Sequence, residues 1–133
     1  MKKFKQDLKV RSYELDSQGH VNYGTYLNYL EYARVVTMEQ LGIPFQEFIK
    51  RKKFIVIAEV NIKYLAPAFM GDELEITLEG IKTGRASFTF LQEIIRKGDG
   101  KKIIEAVLTG VFVNESGKPI PIDEEFKKKL FDI

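Results

Sequence analysis

Between Gly24 and Leu41 the apolar residues Tyr26, Leu27, Tyr29, Leu30, Tyr32, Ala33, Val35, Val36, Met38 and Leu41 fall around almost the whole circumference of a helix. Such a helix predicts burial on most sides, over a length of roughly 27 Å. Gly42, Ile43 and Pro44 end it, glycine by taking the left-handed cap and proline by breaking the ladder. The segment Phe45 to Ile49 then predicts one or two further helical turns. The rest of the chain has to cover this helix.

The period changes after it. Phe54, Val56, Ala58, Val60, Ile62 and Tyr64 alternate along a long strand that is apolar on both faces at its start. Ala66 to Asp72 breaks that strand. Leu74, Ile76 and Leu78 alternate with Glu73, Glu75, Thr77 and Glu79, a half-buried strand whose odd face should be wet. Turns at Lys82 to Arg85 and Gly98 to Gly100 separate strands over 86–97 and 103–113, a meander of hairpins. Residues 4–15 read as a first strand and 123–133 as a short amphipathic helix with Phe126, Leu130 and Phe131 on its apolar stripe. One substantial helix and one sheet with a single apolar face predict an α+β domain over 1–133, with the sheet wrapped around the helix.

Just before the long helix runs Asp16-Ser17-Gln18-Gly19-His20-Val21-Asn22-Tyr23-Gly24-Thr25-Tyr26, which holds a carboxylate, the chain's one histidine, two side-chain amides and two glycines. The first N–H groups of a helix lack internal partners and point outward, so this junction is suited to an anion or to a developing oxyanion. Asn22 is placed to cap the helix. Glu31 and Asn28 lie one turn apart on an otherwise apolar helix, where they pair with each other, with Arg34 or with a neighbouring subunit, or face a cavity. Tyr26 is a candidate to line a pocket.

The bulk properties narrow the classes. A formal charge of +2, from 21 basic and 19 acidic side chains, is too small to drive nucleic-acid or membrane binding by itself. The absence of cysteine removes disulfides, thiolate nucleophiles and cysteine-ligated metals, and one histidine cannot build a multi-histidine metal site in one chain. The basic N-terminus lacks the apolar run of a signal peptide, and no window approaches the roughly 20 apolar residues of a membrane span, so the cytoplasm is the expected location. The basic run Lys50 to Lys53, and Lys82 with Arg85 beside the hairpin glycine, are candidates to hold phosphates.

At Asp16 to Leu27 and at Glu31-Tyr32-Ala33-Arg34 the sequence resembles the hotdog-fold thioesterases, specifically the 4-hydroxybenzoyl-CoA thioesterase-like group. The element order matches over nearly the whole chain, and Pro67 to Asp72 looks like the loop this group carries between its long strands. The resemblance implies a five- or six-stranded antiparallel sheet curved around the central helix, homodimers joined sheet edge to sheet edge, and assembly into a homotetramer. It also implies an active site at the dimer interface, a small aromatic or fatty acyl-CoA as substrate and no cofactor. By the family's pattern Asp16 takes the place of the catalytic carboxylate, and the amides of Tyr23 and Gly24 that of the carbonyl-polarising donors. Some relatives place a histidine in the turn or a glutamate on the helix, which makes His20 and Glu31 alternative catalytic groups. Asn22, Tyr26, Lys82 and Arg85 are the substrate-binding candidates.

Two other functions fit the same residues. A hydratase or dehydratase acting on acyl thioesters would pair His20 with a carboxylate. A non-catalytic acyl-thioester-binding module would use the helix end without activating water.

Overall fold

The computed structural model describes residues 2–131. Five antiparallel strands form one curved sheet in the order β1-β3-β4-β5-β2, with β1 Lys3–Lys9, β2 Phe54–Tyr64, β3 Glu73–Thr83, β4 Ser87–Arg96 and β5 Lys102–Val113. The long helix, α1 Thr25–Gln40, packs on the sheet, followed by α2 Phe45–Lys50 and, near the end of the chain, α3 Glu124–Leu130. Strands β3, β4 and β5 form the expected meander, and β2 pairs with β5 alone, which leaves β1 and β2 as the two edges. No helix among the described residues is long and apolar enough to cross a membrane.

The core divides along the helix. Near the start of α1, Tyr26, Tyr29, Leu30 and Ala33 pack with Ile76, Ile94, Ile104 and Leu108. Near its end, Met38 joins a phenylalanine cluster of Phe48, Phe88, Phe90, Phe112, Phe126 and Phe131. Gln92, fully buried on the same face of β4 between Phe90 and Ile94, bolts the layers together. Its Nε2 donates to the Leu30 and Thr77 carbonyls at 3.1 and 3.2 Å, and its Oε1 accepts from the Arg34 guanidinium at 2.9 Å.

Several expectations need correction. The first strand stops at Lys9 rather than Leu15, because the Val10 amide turns to the Asp72 carbonyl and Ser12–Glu14 coils into a 3-10 turn. The odd face of β3 is wet at Glu73 but buried at Thr77 and Glu79. β3 lies between two neighbours, with Lys5 and Lys3 directly opposite those residues, and the Thr77 hydroxyl accepts the Glu93 amide at 2.9 Å. The long helix buries Tyr26, Tyr29, Leu30, Ala33, Thr37 and Met38, yet Leu27 and Tyr32 stay 42% and 44% exposed. Within one chain it is covered on one side only.

Candidate active site

The turn that carries Asp16 is held from three directions. Leu15 bridges Val21, the Asp16 amide donates to the His20 carbonyl at 2.7 Å, and Gly19 closes the turn at a φ of 80°, a left-handed value that favours glycine. The Asp16 carboxylate is part of this lattice through one oxygen only. Oδ1 accepts the Gln18 and His20 amides at 2.9 and 3.1 Å, and Oδ2 has no hydrogen-bond partner among the described residues. One oxygen fixes the side chain, and the other stays open for chemistry.

Asp16 lines a cleft of about 350 Å³ with His20, Tyr23, Tyr26, Tyr64 and Pro67. The Tyr23 amide, at the helix entrance, donates to nothing among the described residues. The Gly24 amide is already taken by Asn22 Oδ1 at 2.9 Å, so of the two expected oxyanion donors Tyr23 N–H is the free one. Gly24, rather than Asn22, occupies the N-cap position, and Asn22 closes the turn before it. Tyr26 is 3% exposed, and its hydroxyl accepts the Ala68 amide at 3.1 Å, which pins the 66–72 loop to the site. Burial, only partly offset by that bond, raises its phenol pKa.

His20 touches Asp16 through its backbone amide, while its imidazole packs edge-on against Phe69 with ring centroids 5.1 Å apart. Among the described residues no hydrogen bond or ion pair joins the imidazole to a carboxylate. Glu31 is exposed rather than buried, makes no hydrogen bond to Asn28, and stands at the rim of a separate cavity beside Arg34. Burial lowers the Arg34 pKa, and the charge of Glu31 partly restores it.

The basic candidates do not meet Asp16 in one chain. Lys82 and Arg85 are exposed at the opposite end of the sheet, about 30 Å from the Glu73 end of β3 that adjoins the site. The run Lys50 to Lys53 serves structure. Lys53 and Arg51 lie 2.9 and 3.6 Å from the buried Asp123 carboxylate, which caps α3, and Lys52 pairs with Glu115 at 3.4 Å.

Sequence reasoning missed Glu14 and Tyr64. Glu14, 8% exposed, accepts from the Arg11 amide and guanidinium and from the Tyr29 hydroxyl at 2.7 Å. Its own carbonyl accepts the Asn22 amide at 2.9 Å, so it clamps the base of the Asp16 turn. Burial works against its ionisation, but the bonds from Arg11 and Tyr29 outweigh it and hold the carboxyl below its usual range. Burial, reinforced by the bond to Glu14, drives the Tyr29 phenol far up. The three-residue spacing of Arg11 and Glu14 was the available signal. Tyr64 donates to the Tyr23 carbonyl at 3.1 Å and walls the cleft from the end of β2.

The sequence profile of the Thioesterase-like superfamily matches residues 10–130, and the chain belongs to that family. Its fold is the hotdog fold of solved thioesterases. The crystal structure of Slr0204, a 1,4-dihydroxy-2-naphthoyl-CoA thioesterase from Synechocystis, superposes with a TM-score of 0.92 at 18% identity, covering 97% of this chain and 96% of that one. The long-chain acyl-CoA thioesterase FadM of Escherichia coli is 32% identical over 92% of this chain and 93% of its own length. The chloroplastic acyl-acyl carrier protein thioesterase ATL3 of Arabidopsis thaliana is 30% identical over 93% of this chain, which spans only 65% of that longer protein.

Proposed function

We propose that this protein hydrolyses acyl-CoA thioesters in the cleft between Asp16 and the start of α1. The observation that carries this reading is the division of labour at Asp16: Oδ1 is anchored by two turn amides, and Oδ2 is open in the cleft that Tyr23 also lines. With the thioester carbonyl oxygen on the Tyr23 amide, Oδ2 either attacks the carbonyl carbon and expels the CoA thiolate, or takes a proton from a water that attacks instead. In the first route water then cleaves the acyl-aspartyl anhydride. Both routes yield the carboxylic acid and free CoA and draw only on carboxylate, amide and water. The names of FadM and ATL3 support acyl-CoA and acyl-carrier-protein thioesters as the substrate classes to compare.

The site also calls for a second copy of the chain. Edge strand β2 exposes Val56, Val60 and Tyr64 beside an unpaired backbone, whereas edge strand β1 is short and carries exposed Lys3, Lys5 and Lys9. Short, lysine-lined edges resist pairing, whereas β2 is the longer edge and, though it exposes Glu59 and Lys63, the more apolar one, so the homodimer forms by β2 meeting β2 across a two-fold axis. Tyr13 and Tyr32, exposed on the other flank of α1, offer a face on which two dimers make the homotetramer.

Incubation with acyl-CoA tests the reaction. Stoichiometric release of free thiol and carboxylic acid is expected; a change in acyl unsaturation without thiol release would replace hydrolysis with hydration chemistry. Val60→Glu places like charges near the two-fold axis and should convert the dimer to monomer in light scattering; an unchanged mass would remove β2 from the interface.

A further inference from the structure

We propose that the seam between α1 and β2 binds a long unbranched acyl chain, and that the cavity at its far end sets the chain length accepted. This rests on the thioesterase reading above and names its substrate. Leu27, Glu31, Val35 and Met38 form one stripe down α1, at helical spacing from the Tyr23–Gly24 entrance. Opposite them, β2 carries a register shift between Ile57 and Glu59. That shift keeps Ile55 and Ile57, and then Val60, Ile62 and Tyr64, on the face toward the helix. Leu27, Ile57, Val60 and Tyr64 are all 36% to 47% exposed and flank the exposed Glu31 carboxylate, and Tyr64 also lines the Asp16 cleft.

The track along this seam ends in a cavity of about 70 Å³. Glu31, Arg34, Val35 and Ile57 stand on its helix and β2 sides, and Phe88 and Phe126 close it from the phenylalanine cluster. The Arg34 guanidinium bonds to Gln92, so its aliphatic stem contributes apolar wall. Along α1, Val35 and Met38 lie about 16 and 21 Å beyond Gly24. An extended chain advances about 1.2 Å per bond, so about 13 to 17 bonds separate a carbonyl at the helix entrance from the cavity. Acyl groups of about 14 to 18 carbons reach it, and its volume holds roughly the last two or three carbons. An eight-carbon chain ends near Leu30, in the open part of the track.

The test measures binding of non-hydrolysable S-alkyl-CoA thioethers with 8 and 16 carbons, beside thiol release from the matching acyl-CoAs. Each added methylene that leaves water is worth about fourfold in affinity, so the 16-carbon thioether should bind the wild type at least about 100-fold more tightly. Val35→Trp, which fills the track from the helix, and Ile57→Trp, which fills it from β2, should each cut that ratio to about tenfold or less. Equal affinity for the two lengths in the wild type, or a ratio that survives in both variants, would overturn the proposal. Thiol release by the wild type reports separately on catalysis: length-selective binding without hydrolysis keeps the groove and removes the enzyme reading.

Discussion

Glu14 sits two residues before Asp16, and its carboxylate is tied to Arg11 on one side and to the Tyr29 hydroxyl, in the core, on the other. Replacing it with alanine leaves that hydroxyl without its acceptor and frees the base of the turn. Glu14→Ala should cost about 3 kcal/mol in urea unfolding at neutral pH. The pH dependence follows from the direction of the shift. A carboxyl held below its unfolded value contributes stability that is complete above about pH 4.5 and is lost as the pH falls through the folded value. Asp123 shifts the same way: burial opposes ionisation, but bonds from Lys53 and the Phe126 amide prevail. The stability gap between wild type and Glu14→Ala should therefore narrow below about pH 4, and a gap that stays constant to pH 3 would detach Glu14 from the acid response.

At the scale of elements, close backbone approach decides where substitutions are tolerated. Gly110 on β5 faces the buried Phe88 ring, and a β-carbon there would collide with it. Gly110→Ala should cost about 1 to 3 kcal/mol and lower the melting temperature, since the phenylalanine cluster has no slack on that side; an unchanged melting temperature would show that the ring can yield. The elements themselves were largely legible. Alternation in β3, β4 and β5, the glycine and proline after α1, and the Phe126–Leu130–Phe131 stripe each acted locally: α1, β4 and β5 formed within a residue or two of their expected places, whereas β3 runs on to Thr83 into the expected turn and α3 ends at Leu130, with residues 132–133 of its expected range outside the described residues. What was not legible depended on distant partners. Val10 to Glu14 alternates like a strand but coils, because its amides and the Glu14 carboxylate bond elsewhere. The turn and helix entrance adjoin in the sequence and marked the junction as an anion site, while the roles given to Asp16 and Tyr23 there came from the resemblance to the thioesterases. The remoteness of Lys82 and Arg85 depends on the direction of β3, which no local pattern encodes.

Over the whole molecule the two sheet edges and the two flanks of α1 are unequal, and the inequality organises function. The β1 edge is short and lined with lysines, while the longer β2 edge exposes Val56, Val60 and Tyr64 among Glu59 and Lys63, and the adjoining helix stripe exposes Leu27 beside Glu31. The Asp16 cleft lies at the end of that open side, where Tyr64 of β2 meets Tyr23, so a second chain joined along β2 would border the place where the proposed chemistry occurs. In the proposed arrangement the reacting groups sit on a turn fixed by its own hydrogen bonds, and the second chain roofs the proposed acyl channel. The central claim is that the open oxygen of Asp16 does the chemistry, and thiol release by Asp16→Asn measures it most directly. The amide oxygen of asparagine can still accept from the Gln18 and His20 amides, so the variant should keep its fold and oligomeric mass. Its turnover of acyl-CoA should fall by at least about 100-fold. Turnover within about threefold of wild type in a correctly assembled Asp16→Asn protein would contradict the account.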